Sequence, residues 1–118
     1  MIAFITNLCF AVATIENPDN TPFNPRHGSY GPLQIRAMCL QDVNEYAHTS
    51  YKLEDFINNM ALSVWALEQY GLRYHCKTPA DFVRNWHRGT SPAELEDYTT
   101  RVMNTYVSQQ QTRRESRR

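Results

Sequence analysis

The sequence has little of what would define a metal centre, a disulfide scaffold or a membrane span. Its three cysteines, Cys9, Cys39 and Cys76, are an odd number without metal-ligand spacing, so we expect free thiols in apolar surroundings. The four histidines form no His-x-x-x-His pair, and we predict no structural metal. The most apolar stretch, residues 2–15, has fourteen residues, which is too short to cross a bilayer.

The chain also lacks net charge. Twelve basic and twelve acidic residues cancel, which argues against a nucleic-acid-binding surface spread over the domain, because phosphate binding needs a concentrated basic face. Four arginines and one glutamate among the last six residues give that end a charge of +3 and leave −3 on the rest. We therefore expect one domain over residues 1–108 and a basic, flexible tail over residues 109–118.

Sustained alternation of apolar and polar residues, the pattern of a strand, is absent as well. We therefore expect an all-α fold of about five helices with at most a vestigial β-hairpin. Apolar spacing and capping residues predict helices over residues 2–15, 32–46 and 53–70, and two more that begin after Thr78 and Ser91. Gly71 is the expected C′ residue of the third helix, Gly89 ends the fourth, and Ser91 forms a capping box with Glu94.

The first predicted helix ends in an acid. It is apolar on nearly all sides, which is typical of a central, buried helix. Pro18 disfavours helical geometry at Asn17, so Glu16 falls in the last helical turn. The negative end of the helix dipole and apolar neighbours both favour a protonated carboxyl group. Glu16 is therefore a candidate proton donor.

A turn-rich loop follows this acid. Residues 17–30 contain three prolines and three asparagines. Gly28 and Gly31 supply positive φ, and a residue without a side chain also lets a flat sugar lie against the backbone. Asp19 is a candidate second carboxylate, although an Asp in Pro-Asp-Asn is more typical of an Asx-turn.

Residues 28–35, which read Gly-Ser-Tyr-Gly-Pro-Leu-Gln-Ile, resemble a signature of the lysozyme-like soluble lytic transglycosylases, relatives of goose-type lysozymes. In that family a helix ends in Glu, and a loop then leads to Gly-x-x-Gly-Leu-Met-Gln-Ile/Val. The interval of eighteen residues from Glu16 to Gln34 suits the family. Pro replaces the usual Leu after the second glycine, and this version is similar to a branch found in bacteria and phages. The resemblance implies that Glu16 is catalytic and that residues of this stretch bind substrate: Gly28, Ser29, Tyr30, Gly31 and Gln34.

A second stretch, Arg-Asn-Trp-His-Arg-Gly at residues 84–89, resembles the aromatic-Asn-x-Gly element of the same family. Trp86 stands at the aromatic position and His87 where Asn is expected, and His can both donate and accept a hydrogen bond there. Tyr98 resembles the family's helix Tyr that faces the acid. Asn17 departs from the Ser that usually follows the catalytic Glu. The resemblance implies that Trp86, His87 and Tyr98 bind substrate.

The resemblance implies a lysozyme-like fold and cleavage of the β-1,4 bond between N-acetylmuramic acid and N-acetylglucosamine in peptidoglycan. The lack of an obvious second carboxylate favours a lytic transglycosylase over a hydrolytic lysozyme, in which Asp19 or another acid would position water. We expect a monomer that uses no cofactor, has glycan strands as its partner, binds no nucleic acid and does not insert stably into a membrane. It would act at the bacterial cell wall or periplasm, although no signal peptide is recognisable.

Less specific interpretations stay open at this point. Glu16 is also consistent with a helix-terminal acid bonded to its loop, Gln34 with a surface residue, and Tyr30, Trp86 and Tyr98 with core aromatics. At the level of function, the alternatives are a non-catalytic glycan-binding or scaffold protein that keeps the fold, and a helical DNA-binding domain that uses its arginine-rich end.

Overall fold

The computed structural model describes residues 1–88 and 90–117, and within these ranges it has five α-helices, one 3₁₀ helix and one two-stranded antiparallel sheet. The elements in chain order are α1 Ile5–Glu16, β1 Phe23–Asn24, β2 Ser29–Tyr30, α2 Ala37–Ala47, the 3₁₀ helix Leu53–Phe56, α3 Met60–Arg73, α4 Pro79–Trp86 and α5 Pro92–Ser116. The predicted all-α class with a vestigial hairpin is confirmed.

Helix α1 lies at the centre of the main core and packs against α3, α4 and α5. Its side chains at Ile5, Leu8 and Val12 are fully buried. A narrow stripe of Thr6, Phe10 and Thr14 faces outward, with Phe10 38% exposed. A helix with so small an exposed stripe is placed by burial of its other faces, which fixes the position of the acid at its end.

A second core cluster joins α2, the 3₁₀ helix and α3. Its buried members are Ile35, Leu40, Val43, Phe56, Ala66 and Tyr70. Trp86, the last residue of α4, packs against both this cluster and the main core. The end of α4 is therefore fixed by two cores at once.

The short hairpin and the loop around it are held by side-chain amides. Phe23 pairs with Tyr30 and Asn24 with Ser29 across the two strands. The Asn17 amide donates to the carbonyl oxygens of Thr21 and Gly31, at 2.8 and 3.2 Å. The loop after α1 is thus tied back to its own beginning.

The prediction of a helix from residue 32 was wrong at its start, because α2 begins at Ala37. Tyr30 and Ile35 exchange two backbone hydrogen bonds of 2.9 Å in an isolated antiparallel bridge, which uses backbone groups that a helix would need. Gln34 also adopts a left-handed φ of 53°. The predicted first turn of this helix is instead a tight turn.

The third predicted helix is divided in two, and its C-terminus was also wrong. Asn58, with a φ of 53°, separates the 3₁₀ helix from α3, and the Asn59 side chain caps α3 by accepting from the Leu62 N–H. Gly71 lies inside α3, not beyond its end. A Cβ atom at Gly71 would lie 2.1 Å from Cε2 of Phe82, so the glycine allows α4 to pack closely.

The predicted caps of the last two helices are present. Thr78 and Asp81 form a capping box at α4, and the Ser91 hydroxyl accepts from the Glu94 N–H at 3.2 Å. In the part of the chain that the structure describes, the reciprocal bond from the Ser91 N–H to the Glu94 carboxylate is not present, so the second capping box is half formed. Gly89, predicted to end α4, lies outside the described residues.

Helix α5 extends further than the apolar pattern indicated. It continues through Ser116, over residues assigned above to a flexible tail. The Gln109 amide donates to the Thr14 hydroxyl at 3.1 Å, which links this part of α5 to α1. No helix among residues 1–88 and 90–117 has the length and apolarity needed to cross a membrane.

Candidate active site

Glu16 occupies the last turn of α1. The helix ends because Asn17 leaves helical geometry, with φ −146° and ψ 61°, while its N–H still bonds to the Ala13 carbonyl. The Glu16 side chain is only 22% exposed. Burial raises its pKa to about 7, and the positive charge of Arg36 partly offsets this. Near neutral pH, Glu16 therefore exists as a mixture of the acid and the carboxylate.

The His87 ring faces this carboxyl group. Its Nδ1 lies 3.9 Å from Oε1 of Glu16, which is beyond hydrogen-bond distance. Burial and then the charge of Arg36 lower the pKa of His87, while Glu94 acts in the opposite direction. The lowered pKa favours the neutral imidazole at pH 7, so the contact with Glu16 is not a fixed ion pair.

The Tyr98 ring packs against the His87 ring. The two rings are stacked, with centroids 3.7 Å apart and planes inclined by 16°. Tyr98 is 5% exposed, and its buried hydroxyl has no hydrogen-bond partner among the described residues. Burial and the negative charge of Glu16 raise its pKa, so the phenol keeps its proton. A buried hydroxyl without a partner is a donor that a ligand or a water molecule could satisfy.

These three residues line one cavity of about 490 Å³. Its other lining residues are Ile15, Ala93, Glu94, Asp97 and Arg101. Glu94, Asp97 and Arg101 follow at steps of three and four residues, so they share one face of α5. The cavity thus combines Glu16 and His87 with two further acids and one arginine from α5.

A larger cavity, of about 540 Å³, lies between α1 and the C-terminal part of α5. Phe10 and Arg113 are among its lining residues, and none of the described residues that line it is acidic. Acid–base chemistry on a bound ligand needs a titratable group in the cavity. The cavity beside Glu16 contains such a group, with a pKa that burial raises to about 7, and is therefore the candidate active site.

The hairpin residues predicted to bind substrate lie outside this cavity. Ser29 is buried, and its hydroxyl accepts a hydrogen bond of 3.3 Å from Nε of Arg36. Ser29 thus holds the arginine whose charge acts on Glu16. Tyr30 stacks on Phe23 with ring centroids 4.5 Å apart. Whether these two residues also contact substrate stays a prediction.

Gly28, Gly31 and Gln34 differ in what surrounds them. Gly28 has a φ of 62°, and no atom of residues 1–88 and 90–117 lies within 4 Å of a Cβ placed on it, so its face is open, as binding of a flat sugar would require. Gly31 faces inward, where a Cβ would lie 2.3 Å from the Phe56 carbonyl oxygen. The Gln34 amide donates to the carbonyl oxygens of Thr21 and Gly31, at 3.1 and 2.8 Å. Its described bonds hold the loop together.

The remaining two candidates are also separate from the cavity. Trp86 lies edge-to-face with Tyr70, at 5.6 Å between ring centroids, and packs into the core. Asp19 is exposed in the loop after α1 and does not line the cavity that Glu16 lines. The structure thus brings together Glu16, His87 and Tyr98 from the predicted set.

Four charged residues near Glu16 were missed from the sequence. Glu94 and Arg101 lie four residues before and three after Tyr98, so once Tyr98 is placed in the site they follow from helical spacing. Asp97 directly precedes Tyr98 and follows only from its own spacing of three and four residues to Glu94 and Arg101. Arg36 gave no such signal. Its position near Glu16 depends on the turn at residues 30–35, where a helix was predicted from residue 32.

Comparisons of the chain with protein-family models, with curated proteins and with solved structures found no match.

Proposed function

We propose that this chain is a peptidoglycan-degrading glycosidase that cleaves the β-1,4 bond between N-acetylmuramic acid and N-acetylglucosamine. The observation that carries the proposal is the buried Glu16 carboxyl group, with a pKa of about 7, beside a cavity lined by His87 and Tyr98. The resemblance of residues 28–35 to the lytic transglycosylases supplies the substrate class. Glycan strands of the bacterial cell wall are then the partner.

Cleavage of a glycosidic bond needs a proton donor whose pKa lies near the pH of the reaction. The leaving oxygen is a poor leaving group unless it is protonated, and positive charge develops on the sugar ring as the bond breaks. Protonated Glu16 gives its proton to that oxygen while the C1–O bond breaks. The resulting carboxylate, with its neutral neighbour His87, is then ready to accept a proton.

The second step distinguishes two products. In the transglycosylase route, the Glu16 carboxylate takes the proton of the muramyl 6-hydroxyl as O6 bonds to C1, which closes an anhydro ring and restores protonated Glu16. In the hydrolytic route, a water molecule attacks C1 and leaves a reducing end. An acid that lines the cavity, Glu94 or Asp97, is better placed to orient this water than Asp19, which does not line it. Neither route needs a cofactor.

The transglycosylase route is the one we favour, because one acid that acts twice is sufficient for it. The test is digestion of purified peptidoglycan followed by mass spectrometry of the fragments. Anhydro-muramyl ends, lighter by one water than reducing ends, are the expected result. Reducing ends would indicate hydrolysis, and intact glycan chains in the presence of folded protein would refute the glycosidase proposal.

A non-catalytic glycan-binding protein with this fold is the second candidate. It is favoured by His87, which stands where the related element has Asn, and by its contact with Glu16 at 3.9 Å. The variant Glu16→Gln separates the two functions, since it keeps the shape of the side chain and removes the proton donor. Loss of cleavage with retained binding to insoluble peptidoglycan indicates catalysis, whereas binding by both proteins without cleavage by either indicates a binding role.

A further inference from the structure

Arg88, the residue directly after His87, is held by two other parts of the fold. Its Nη2 donates to the Tyr74 hydroxyl at 2.6 Å and to Oδ2 of Asp42 at 3.4 Å. The Tyr74 hydroxyl in turn donates to the same Asp42 oxygen. Asp42 lies on α2 and Tyr74 is the C-cap residue of α3. We call these three residues, Asp42, Tyr74 and Arg88, the Arg88 anchor.

Aromatic rings fix the Arg88 side chain further. Its guanidinium carbon lies 3.9 Å from the Tyr74 ring centroid and 5.3 Å from that of Tyr70. These distances are within the range of cation–π attraction. Tyr70 itself lies edge-to-face with Trp86, which is two residues before Arg88. The guanidinium group is therefore restrained by hydrogen bonds and by rings together, although its side chain is 45% exposed.

The Arg88 anchor restrains the backbone on the C-terminal side of His87, whereas α4 restrains it on the N-terminal side. On one side, the His87 N–H bonds to the Val83 carbonyl at 3.2 Å and continues the last turn of α4. On the other side, the next residue is Arg88. The imidazole between these two fixed points stacks on Tyr98 and presents Nδ1 to Glu16. A residue held on both sides has little freedom to turn its ring away from the carboxyl group.

We propose that Asp42, Tyr74 and Arg88 are positioning residues that hold His87 stacked on Tyr98 and facing Glu16. None of the three lines the cavity, so they act through His87 and not on the ligand. The effect on catalysis rests on the glycosidase function proposed above, whereas the effect on the His87 ring does not. The two can therefore be tested separately.

The variant Tyr74→Phe tests the proposal, because it keeps the ring over which Arg88 lies and removes only the hydroxyl group. Its matched control is Tyr46→Phe, at a half-exposed tyrosine of α2. The first measurement is the NMR chemical shift of the His87 ring protons, which the Tyr98 face shields in the stacked arrangement. We expect Tyr74→Phe to lose much of this shielding and Tyr46→Phe to keep it, with helical circular dichroism unchanged in both.

The second measurement is steady-state cleavage of peptidoglycan. Small displacements of groups beside the reacting atoms lower the rate more than they lower binding, so we expect kcat to fall about tenfold in Tyr74→Phe with KM nearly unchanged. Arg88→Lys keeps the charge but loses the fork-shaped donor group, and we expect it to show the same two changes.

The two measurements also define failure. Unchanged His87 shielding in both Tyr74→Phe and Arg88→Lys would overturn the positioning proposal, whatever the effect of these variants on cleavage. Lost shielding with an unchanged kcat would overturn its catalytic part while cleavage by the wild-type protein still supported the glycosidase function. If the wild-type protein did not cleave peptidoglycan, the glycosidase function would fail, and the shielding measurement alone would decide whether the anchor positions His87.

Discussion

The His87 and Tyr98 rings lie nearly parallel with centroids 3.7 Å apart, and both line the cavity that Glu16 lines. One ring comes from the C-terminus of α4 and the other from the second turn of α5. By excluding water from the carboxyl group, the two rings contribute to the burial that raises the pKa of Glu16 to about 7. The stack therefore links helix packing to the protonation of the proposed acid.

The first prediction concerns the pH dependence of cleavage. The proposed reaction starts from protonated Glu16, so kcat/KM should fall as pH rises through about 7. Arg36 lowers the Glu16 pKa, so Arg36→Gln should move this decrease to higher pH, and Arg113→Gln, at a residue that does not line the cavity, should not. The profile is measured on soluble glycan fragments from pH 5 to 9. A rate that rises steadily over this range would contradict Glu16 as the acid.

The second prediction concerns stability. The folded-state pKa of Glu16 lies above its ordinary value of 4.5, so the folded protein binds this proton more tightly than the unfolded chain. The stabilising effect is complete below about pH 4.5 and is lost as pH rises through about 7. Glu16→Gln, which is neutral at every pH, should therefore unfold with a higher free energy than wild type at pH 8, by on the order of 2–3 kcal/mol.

The same variant should show no such gain at pH 4, where wild-type Glu16 is protonated. Urea denaturation at the two pH values measures both differences, and Glu45→Gln, at an exposed glutamate of α2, is the control. An equal effect of Glu16→Gln at pH 4 and pH 8 would show that the change arises from packing and not from ionisation.

The third prediction separates stability from activity at Tyr98. Its hydroxyl is buried without a partner among residues 1–88 and 90–117, which costs free energy in the folded protein. Tyr98→Phe should therefore be as stable as wild type or more stable, by up to about 1 kcal/mol. If this hydroxyl donates to the sugar, cleavage should nevertheless slow at least tenfold. Thermal unfolding and kcat/KM measure the two effects, and a clear loss of stability would mean that the hydroxyl is already bonded in the free protein.

The sequence was informative wherever a local signal decides the structure. Pro18 predicted the end of α1 and so the place of Glu16, and the caps Thr78 and Ser91 predicted the starts of α4 and α5. These features depend on a few neighbouring residues and on backbone geometry that those residues impose. The all-α class followed from periodicity in the same way.

The sequence was less informative where a contact between residues far apart in the chain decides the local structure. A glycine such as Gly71 is typical of a helix C-terminus, but here α3 continues past it, and the Phe82 ring from α4 occupies the space beside it. Residues 32–35 fit the spacing of a helix, but the two hydrogen bonds between Tyr30 and Ile35 use backbone groups that a helix would need. Arg36, whose charge acts on Glu16, directly follows that bridge. Such contacts cannot be read from spacing, because both partners must first be placed in space.

The fourth prediction compares two glycines of the same motif. Gly31 has a φ of 77° and a backbone neighbour, the Phe56 carbonyl, at 2.3 Å from a Cβ placed there, so Gly31→Ala requires the hairpin and the 3₁₀ helix to separate. We expect it to lower the free energy of unfolding by about 3 kcal/mol or more. Gly28→Ala carries the conformational cost alone, about 1 kcal/mol, because the space beside it is open. Urea denaturation of the pair measures the difference, and equal destabilisation would show that Gly31 is required for its backbone conformation and not for its contact with Phe56.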